Sequence, residues 1–285
     1  TGGMNVAVGR EALSSITTGE KNIGIGYRAA EATTTAEDNV AVGQQALEEN
    51  STGDRNIAIG TRALDNNTTA SDNIAVGHEA LQSNTTGTEN TALGSKALKA
   101  NTTADNNTAF GYAPLFNNTT GANNTGLGHS ALQSNTTGSE NVAVGRLALT
   151  TSTTAEYLTA VGSQCLQQVT TGSSNTGLGY AAGYSITTGG NNVLLGRNAG
   201  RATSPSGNIT TGSDTICLGD NNINDLFCAD TSISSSDSRD KTDVTSFNIG
   251  LDWINALRPV TYRWDRRTWY GTDAEPYGTP DGSKK

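Results

Sequence analysis

Few residues in this chain are of the kinds that do chemistry, and their spacing decides what each can do. The cysteines Cys165, Cys217 and Cys228 have neither a Cys-x-x-Cys nor a metal-ligand spacing. Cys165 stands where the repeat described below carries Ala, which reads as a small buried residue. His78 and His129 share one repeat position and are expected to face solvent. No Ser-His-Asp set, phosphate loop or cluster of metal ligands appears, so neither cofactor nor metal nor a substrate-processing activity is expected. What remains is a serine-rich stretch, Ser234, Ser235, Ser236 and Ser238, running up to Lys241. A serine hydroxyl attacks a carbonyl when a nearby base takes its proton. A lysine can be that base only where burial or a neighbouring charge makes its neutral form accessible, and Asp240 beside Lys241 opposes this. On spacing alone, the stretch is an ordinary polar linker.

The rest of the chain is architectural. Of 285 residues, 34% are hydrophobic, 5% aromatic and 16% charged, with 34 glycines. That is poor material for a globular core. Yet Val, Ile, Leu and Ala fall at fixed positions, which argues against a disordered polyampholyte. The net charge is −9, with no basic run before the last residues. This argues against nucleic acid, whose phosphates need clustered Lys and Arg. No apolar stretch has the length of a membrane span and no signal peptide is visible, so no membrane insertion is expected. A chain opening at Thr1 reads as a piece of a longer one.

One 17-residue sentence, first written NVAVGREALSSITTGEK from Asn5 to Lys21, recurs without a slip for twelve copies. Ten of the first eleven copies open on Asn; Leu158 is the exception, and Asn192 restores it. Four residues later every copy has Gly, from Gly9 through Gly196. A thirteenth copy ends at Gly219, after an insertion near 201–208.

Each part of the sentence has a mechanical reading. Asn-Val-Ala-Val is a short β-branched run of period two, hence a strand, with its two large residues on one face and the small one on the other. The Gly marks a corner where φ is positive or another backbone comes close. The following Ala-Leu turns a bend with Leu13, Leu47 and Leu64 pointing inward. Thr-Thr-Gly makes a second strand or edge and a turn. The small middle residues of the strand, among them Ala7, Gly24, Ala41 and Ala58, imply close approach to another surface. That surface is the coil interior or a neighbouring chain, and the neighbouring chain is the preferred reading.

One unit buries too little to fold alone, whereas stacked units share a continuous column and pair their strands along the axis. The expected fold is therefore all-β, a parallel β-solenoid of about thirteen coils, spanning about 60 Å at roughly 4.8 Å per coil. Leucine-rich repeats need more leucines per unit, calcium-binding nonapeptides need Gly-Gly-x-Gly-x-Asp, and coiled coils need heptads. The stretch NVAVGREA is similar to the head repeats of trimeric autotransporter adhesins, whose strand reads Asn-Ser-Val-Ala-Ile-Gly and then a small residue. That resemblance covers part of each unit, with a different period. It implies a parallel β-roll with three chains around one axis, a homotrimer.

After Gly219 the composition changes. Trp253, Trp264 and Trp269 all lie there, as do three of the five prolines. Leu251, Trp253, Ile254 and Leu257 have helical spacing, Arg258-Pro259 stops that helix, and Val260 to Trp264 alternates as a strand. SDSRDKTDV (Ser236 to Val244), followed by GLDWINALRPVTYRWD, resembles the C-terminal intramolecular chaperone of phage tail fibres and tailspikes, the endosialidase type. The wording LDWINALRPV, with Asp240 before Lys241, is similar to fibre proteins of marine T4-like myoviruses. The resemblance implies a domain that trimerises the fibre and is then cut off by its own serine. The cut would fall at Ser236–Asp237, with Ser236 and Lys241 catalytic and the acyl group shifting from N to O. That family usually continues past the point where this chain closes on PDGSKK, so the chaperone is expected to be incomplete.

The expected organisation is thus a repeat domain at 1–219, a linker at 220–236 and a small α+β start of the chaperone at 237–285. The expected function is structural and adhesive: a trimeric tail-fibre shaft or tip in a virion, presenting a region that binds a host surface receptor, a glycan being one candidate, and joined to other tail or baseplate proteins. A bacterial trimeric surface adhesin is the alternative, needing an export signal and a membrane anchor. An ice- or glycan-binding solenoid is a further one, because the Thr-Thr column could present a flat threonine lattice. Such threonines more often simply suit β edges and turns.

Overall fold

The computed structural model describes residues 2–224. Among these residues there are thirteen strands of three residues each, from β1 (Val6–Val8) to β13 (Ile216–Leu218), and no helix. They form one sheet in chain order, every neighbour parallel. Identical repeat positions lie side by side, as in Val40↔Ile57, Ala41↔Ala58 and Val42↔Ile59. The all-β parallel solenoid expected from the period is what the described residues form.

Three-residue strands would be a weak tie by themselves, but pairing between coils continues beyond them. Gly43 N–H donates to the Ile25 carbonyl (2.8 Å), Gln45 to Tyr27 (2.8 Å), Leu47 to Ala63 (2.9 Å) and Glu49 to Asp65 (3.0 Å). Most of each turn therefore satisfies its backbone on the coil before or the coil after. The Thr-Thr segment does the same, with Ser51 N–H on the Thr68 carbonyl (2.8 Å), but as bends. No second strand forms there among the described residues.

The Gly that closes each strand is required twice over. Gly43 sits at φ 140°, and a Cβ on it would lie 2.6 Å from the Gly60 carbonyl oxygen. Corner backbones touch along the whole rod, so a side chain there fails on conformation and on space alike. Two positions on, and again at the inward leucine, ordinary residues take left-handed backbone: Gln45 at φ 56° and Leu47 at φ 55°. This costs about 1 kcal/mol per residue. The expense is offset because the conformation drives each leucine into the axis, where Leu47, Leu64, Leu81 and their equivalents are fully buried.

That leucine corrects the preferred reading of the small column. Ala41, Ala58, Ala75 and Ala92 are completely buried within a single chain. A Cβ on Gly24 would lie 3.0 Å from Leu13 Cγ, and one on Gly177 would lie 3.0 Å from Leu166 Cγ. The middle residue is small because a leucine of the preceding coil fills the space across from it. The interior is narrow, and no neighbouring chain is needed to explain it.

Two buried asparagine columns complete that interior. In the first, at the head of each repeat, the Asn39 amide donates to the Gly53 carbonyl at the end of its own coil (2.9 Å). Asn39 Oδ1 in turn accepts the Asn56 N–H from the next coil (2.8 Å). In the second, eleven residues on, side chain meets side chain: Asn67 donates to Asn50 (3.0 Å), Asn84 to Asn67 (2.9 Å) and Asn101 to Asn84 (2.9 Å). Asn118 and Asn135 extend the run. It stops at Ser152, too short to continue it, and Asn135 Oδ1 and Ser152 Oγ are both buried without a partner. The first column breaks nearby at Leu158, which is fully buried.

The insertion leaves the coil and returns to it. Ile209 N–H donates to the Gly200 carbonyl (2.9 Å), closing the loop at its base, and Asn221 N–H donates to Thr203 (2.7 Å) at the carboxyl end of the rod. The coil count is preserved because Val193 still pairs with Ile216.

The ladders make a sharp stability prediction. Asn101→Ala removes bonds to Asn84 Oδ1 and the Ala104 carbonyl and takes away the Asn101 acceptor of the Asn118 amide, which keeps only its bond to the Gly121 carbonyl. It should cost about 2–3 kcal/mol, whereas Ala at exposed Asn117 should cost under about 0.5 kcal/mol. Chemical denaturation of the two variants checks this; equal midpoints would remove the ladder from the energetics.

Candidate functional site

With the interior filled by Ala, Leu and Asn, whatever this rod touches it must touch through its outer columns. The strand supplies two. Its first residues run from Val6 through Ile23 and Val40 to Ile216, with threonine at Thr91, Thr108, Thr125, Thr159 and Thr176. Its third residues are apolar in all thirteen coils: Val8, Ile25, Val42, Ile59 and Val76 lead to Leu93, Phe110 and onward to Leu218. Strand pleating puts both columns on the side opposite the buried alanines, and the burial pattern, as in Val40–Val42, follows that alternation. Phe110 is 57% exposed and Leu178 52%. The large residues of the strand thus point away from the core. The five threonines in the first column are the sequence signal for this, since an aliphatic interior would not take them.

A third outer column follows the glycine corner and carries Arg10, Tyr27, His78, Tyr112, His129 and Tyr180. Neighbouring coils stack here: the Tyr112 and His129 rings lie 5.2 Å apart and the Arg10 guanidinium lies 5.4 Å from the Tyr27 ring. Both histidines are exposed, as their repeat position implied.

The threonine pairs divide their labour. The first of each pair donates its hydroxyl to a carbonyl one coil on, as Thr34 does to Ser51 (3.1 Å) and Thr102 to Thr119 (3.1 Å). The second, from Thr18 and Thr35 to Thr188 and Thr211, is exposed in every coil. One free threonine column is a row rather than the lattice that the paired residues suggested.

Charged groups tie coils together without forming a reactive centre. Arg55 grips Asp72 through two bonds (2.7 and 2.8 Å), and Lys99 reaches Glu79 at 2.8 Å. Hydrogen bonding to these cations holds both carboxylates below their usual range. The exposed Arg55–Asp72 pair stabilises little, and the half-buried Lys99–Glu79 pair remains at the surface. Among the described residues no three His, Cys, Asp or Glu side chains gather to hold a metal ion, and no helix is long and apolar enough to cross a membrane. The proposed nucleophile Ser236, its base Lys241, the bond to Asp237, the helix around Trp253 and Cys228 all lie outside the described residues.

A protein-family model described as a chaperone of endosialidase matches residues 236–280. The match opens on Ser236 and takes in Lys241. No curated protein and no solved structure matches the chain.

Cys165 offers a direct test of the interior. Burial pushes its thiol up to about 12, so at pH 8 it holds almost no thiolate, the reactive form. Iodoacetamide should leave Cys165 unmodified in the native protein and alkylate it fully in denaturant. Peptide mass spectrometry reads the difference, and native alkylation would show an open coil.

Proposed function

We propose that the chain is a shaft or tip segment of a homotrimeric bacteriophage tail fibre. In this reading residues 1–219 form the rod, 220–236 a linker and 237–285 part of an intramolecular chaperone. The observation that carries the reading is a thirteen-coil parallel solenoid followed at once by a chaperone-of-endosialidase match over residues 236–280. A rod of identical coils gives length and stiffness for little sequence complexity, because each coil needs only its neighbours. Such a rod in a virion holds a receptor-binding region, directed at a host surface glycan or protein, away from the particle. Its other end joins further tail or baseplate proteins. The LDWINALRPV wording supports a marine T4-like myovirus fibre within this class.

Chains with many equivalent coils face a registration problem, since each could pair with its neighbours one coil out of step. A trimerising domain at one end solves it by fixing the start. Once the rod is set, that domain can be released. In the proposed release, Lys241 takes the proton of the Ser236 hydroxyl as the Ser236 oxygen attacks the carbonyl carbon of the same residue, closing a four-membered lactone. The bond from that carbon to the Asp237 nitrogen breaks, the Lys241 ammonium returns the proton to the departing Asp237 amine, and water opens the strained lactone to leave Ser236 as the new carboxyl end. Trimer packing must lower the affinity of Lys241 for its proton against the influence of Asp240.

Two measurements on the complete gene product test this. Sedimentation should give a trimer, and a monodisperse monomer at micromolar concentration would sink the assembly. Mass spectrometry of mature trimers should show chains ending at Ser236. Ser236→Ala should abolish the cut yet leave the trimer, and Lys241→Ala should slow the cut strongly. An intact wild-type chain, or a cut that persists in Ser236→Ala, refutes the chemistry while leaving the rod.

A further inference from the structure

The outward columns of the strand are left uncovered within one chain, as the exposed Val8, Phe110 and Leu178 show. Thirteen consecutive coils present an aliphatic or aromatic residue at the third strand position. A strip about 60 Å long and two side chains wide covers on the order of 600 Å². That is at the upper limit of apolar patches on monomers, and near the roughly 800 Å² that each partner contributes to a stable interface.

The pattern within the strip identifies the partner. Its third-position side chains are longest at Leu93, Phe110, Leu127 and Leu178, and there the first position falls back to Thr91, Thr108, Thr125 and Thr176. Where the third position is Val or Ile, the first is Val or Ile in every coil but that of Thr159. The last two coils, Val193 with Leu195 and Ile216 with Leu218, carry more at both positions. Apolar bulk is thus shared out level by level along most of the rod. Solvent imposes no such sharing. A partner packed at the same height does, because extra bulk at one level would hold the surfaces apart at the next. An unrelated partner would have to present side chains at this coil spacing for the whole length. Another copy of this chain does so by construction.

We propose that this face, the first and third strand columns, is the contact between copies of the chain, which lie parallel and in register around a common axis. The proposal rests on the trimeric reading above and specifies which surface meets the axis. The corner column with Tyr112 and His129 flanks the contact, and the exposed threonine row remains available to solvent. Parallel, equal-height packing brings each residue close to its own counterparts, as rotational symmetry requires.

Single cysteines introduced in a Cys228→Ser background provide the test, with Cys165 and Cys217 left in place because both are buried. Cysteine at Val42, Val76 or Val144 should link to the same residue of another copy under mild oxidation or with a short bismaleimide. Pairing should reach about two-thirds of chains, the limit for disulfides among three equivalent copies. Cysteine at Thr52, Thr86 or Thr137 should remain unlinked. Co-expressed Val42→Cys and Val144→Cys chains should pair only with their own kind, since equal-height packing places Val42 and Val144 six coils apart. Trimers by sedimentation that link through the threonine row, or not through the strand face, overturn the inference and leave the trimer standing. Cross-pairing of Val42→Cys with Val144→Cys overturns the parallel register. A monomer removes both readings together.

Discussion

The buried asparagine at the head of a coil serves two coils at once. Its amide closes its own turn on the carbonyl fourteen residues ahead, and its oxygen receives the backbone of the next turn. Because donor and acceptor sit on one short side chain, the length of a turn and its placement on the neighbour cannot vary separately. In successive turns that both open on Asn this holds the 17-residue spacing, and the turn opening at Leu158 keeps it through its strand pairing. The one insertion must likewise depart at Gly200 and return at Ile209 without disturbing the pairs on either side. The glycine corners impose the same spacing from the outer side, where one backbone rests directly on another.

Within that frame the second interior column changes character along the rod. Beginning at Ile16 and Thr33, it becomes asparagine from Asn50 to Asn135 and then gives way to Ser152, Val169, Ile186 and Ile209. One slot is filled by an amide ladder in the middle and by aliphatic packing toward the end. The two solutions do not splice well. An amide at the boundary has nothing to accept from, and the unpartnered oxygens of Asn135 and Ser152 mark that boundary. A homogeneous column of either kind would avoid it. The side-chain ties are sparsest further along, where the turn opening at Leu158 meets the next through the Thr170 hydroxyl on the Thr187 carbonyl and the Asn175 amide on the Gly172 carbonyl.

Much of this architecture was legible in the residues because it depends on period alone. Seventeen-residue spacing fixes which positions stack, and a glycine after every strand announces a corner. The direction of the strand side chains was not legible. An alternation of large and small says that the two faces differ, and convention places the large one inside. Here Leu47 and its equivalents fill the interior from the opposite wall, so only alanine or glycine fits across from them. That depends on leucine adopting a left-handed backbone, which its own preference opposes and no sequence rule signals. The threonine pair misled for a related reason: Thr favours strands, but these hydroxyls bind carbonyls one coil on and hold a bend. The Ser236 and Lys241 chemistry stands on a motif beyond the described residues, where burial and proton affinity follow from packing.

The amide ladder also has a direction. Asn67 donates back to Asn50, Asn84 back to Asn67, and so on through Asn135. A finished turn therefore presents a ready acceptor to the turn after it, and the chain is synthesised in that same order. Turns can be laid down on their predecessors while the ribosome is still at work, each one templated and none waiting for the carboxyl end. The outward strip of Val8, Ile25 and Val42 would then be complete and wet long before residue 236 exists. In the proposed trimer, early folding would set a deadline: copies of the rod would have to be kept from sticking at random heights until the segment that begins at Ser236 is made to align them.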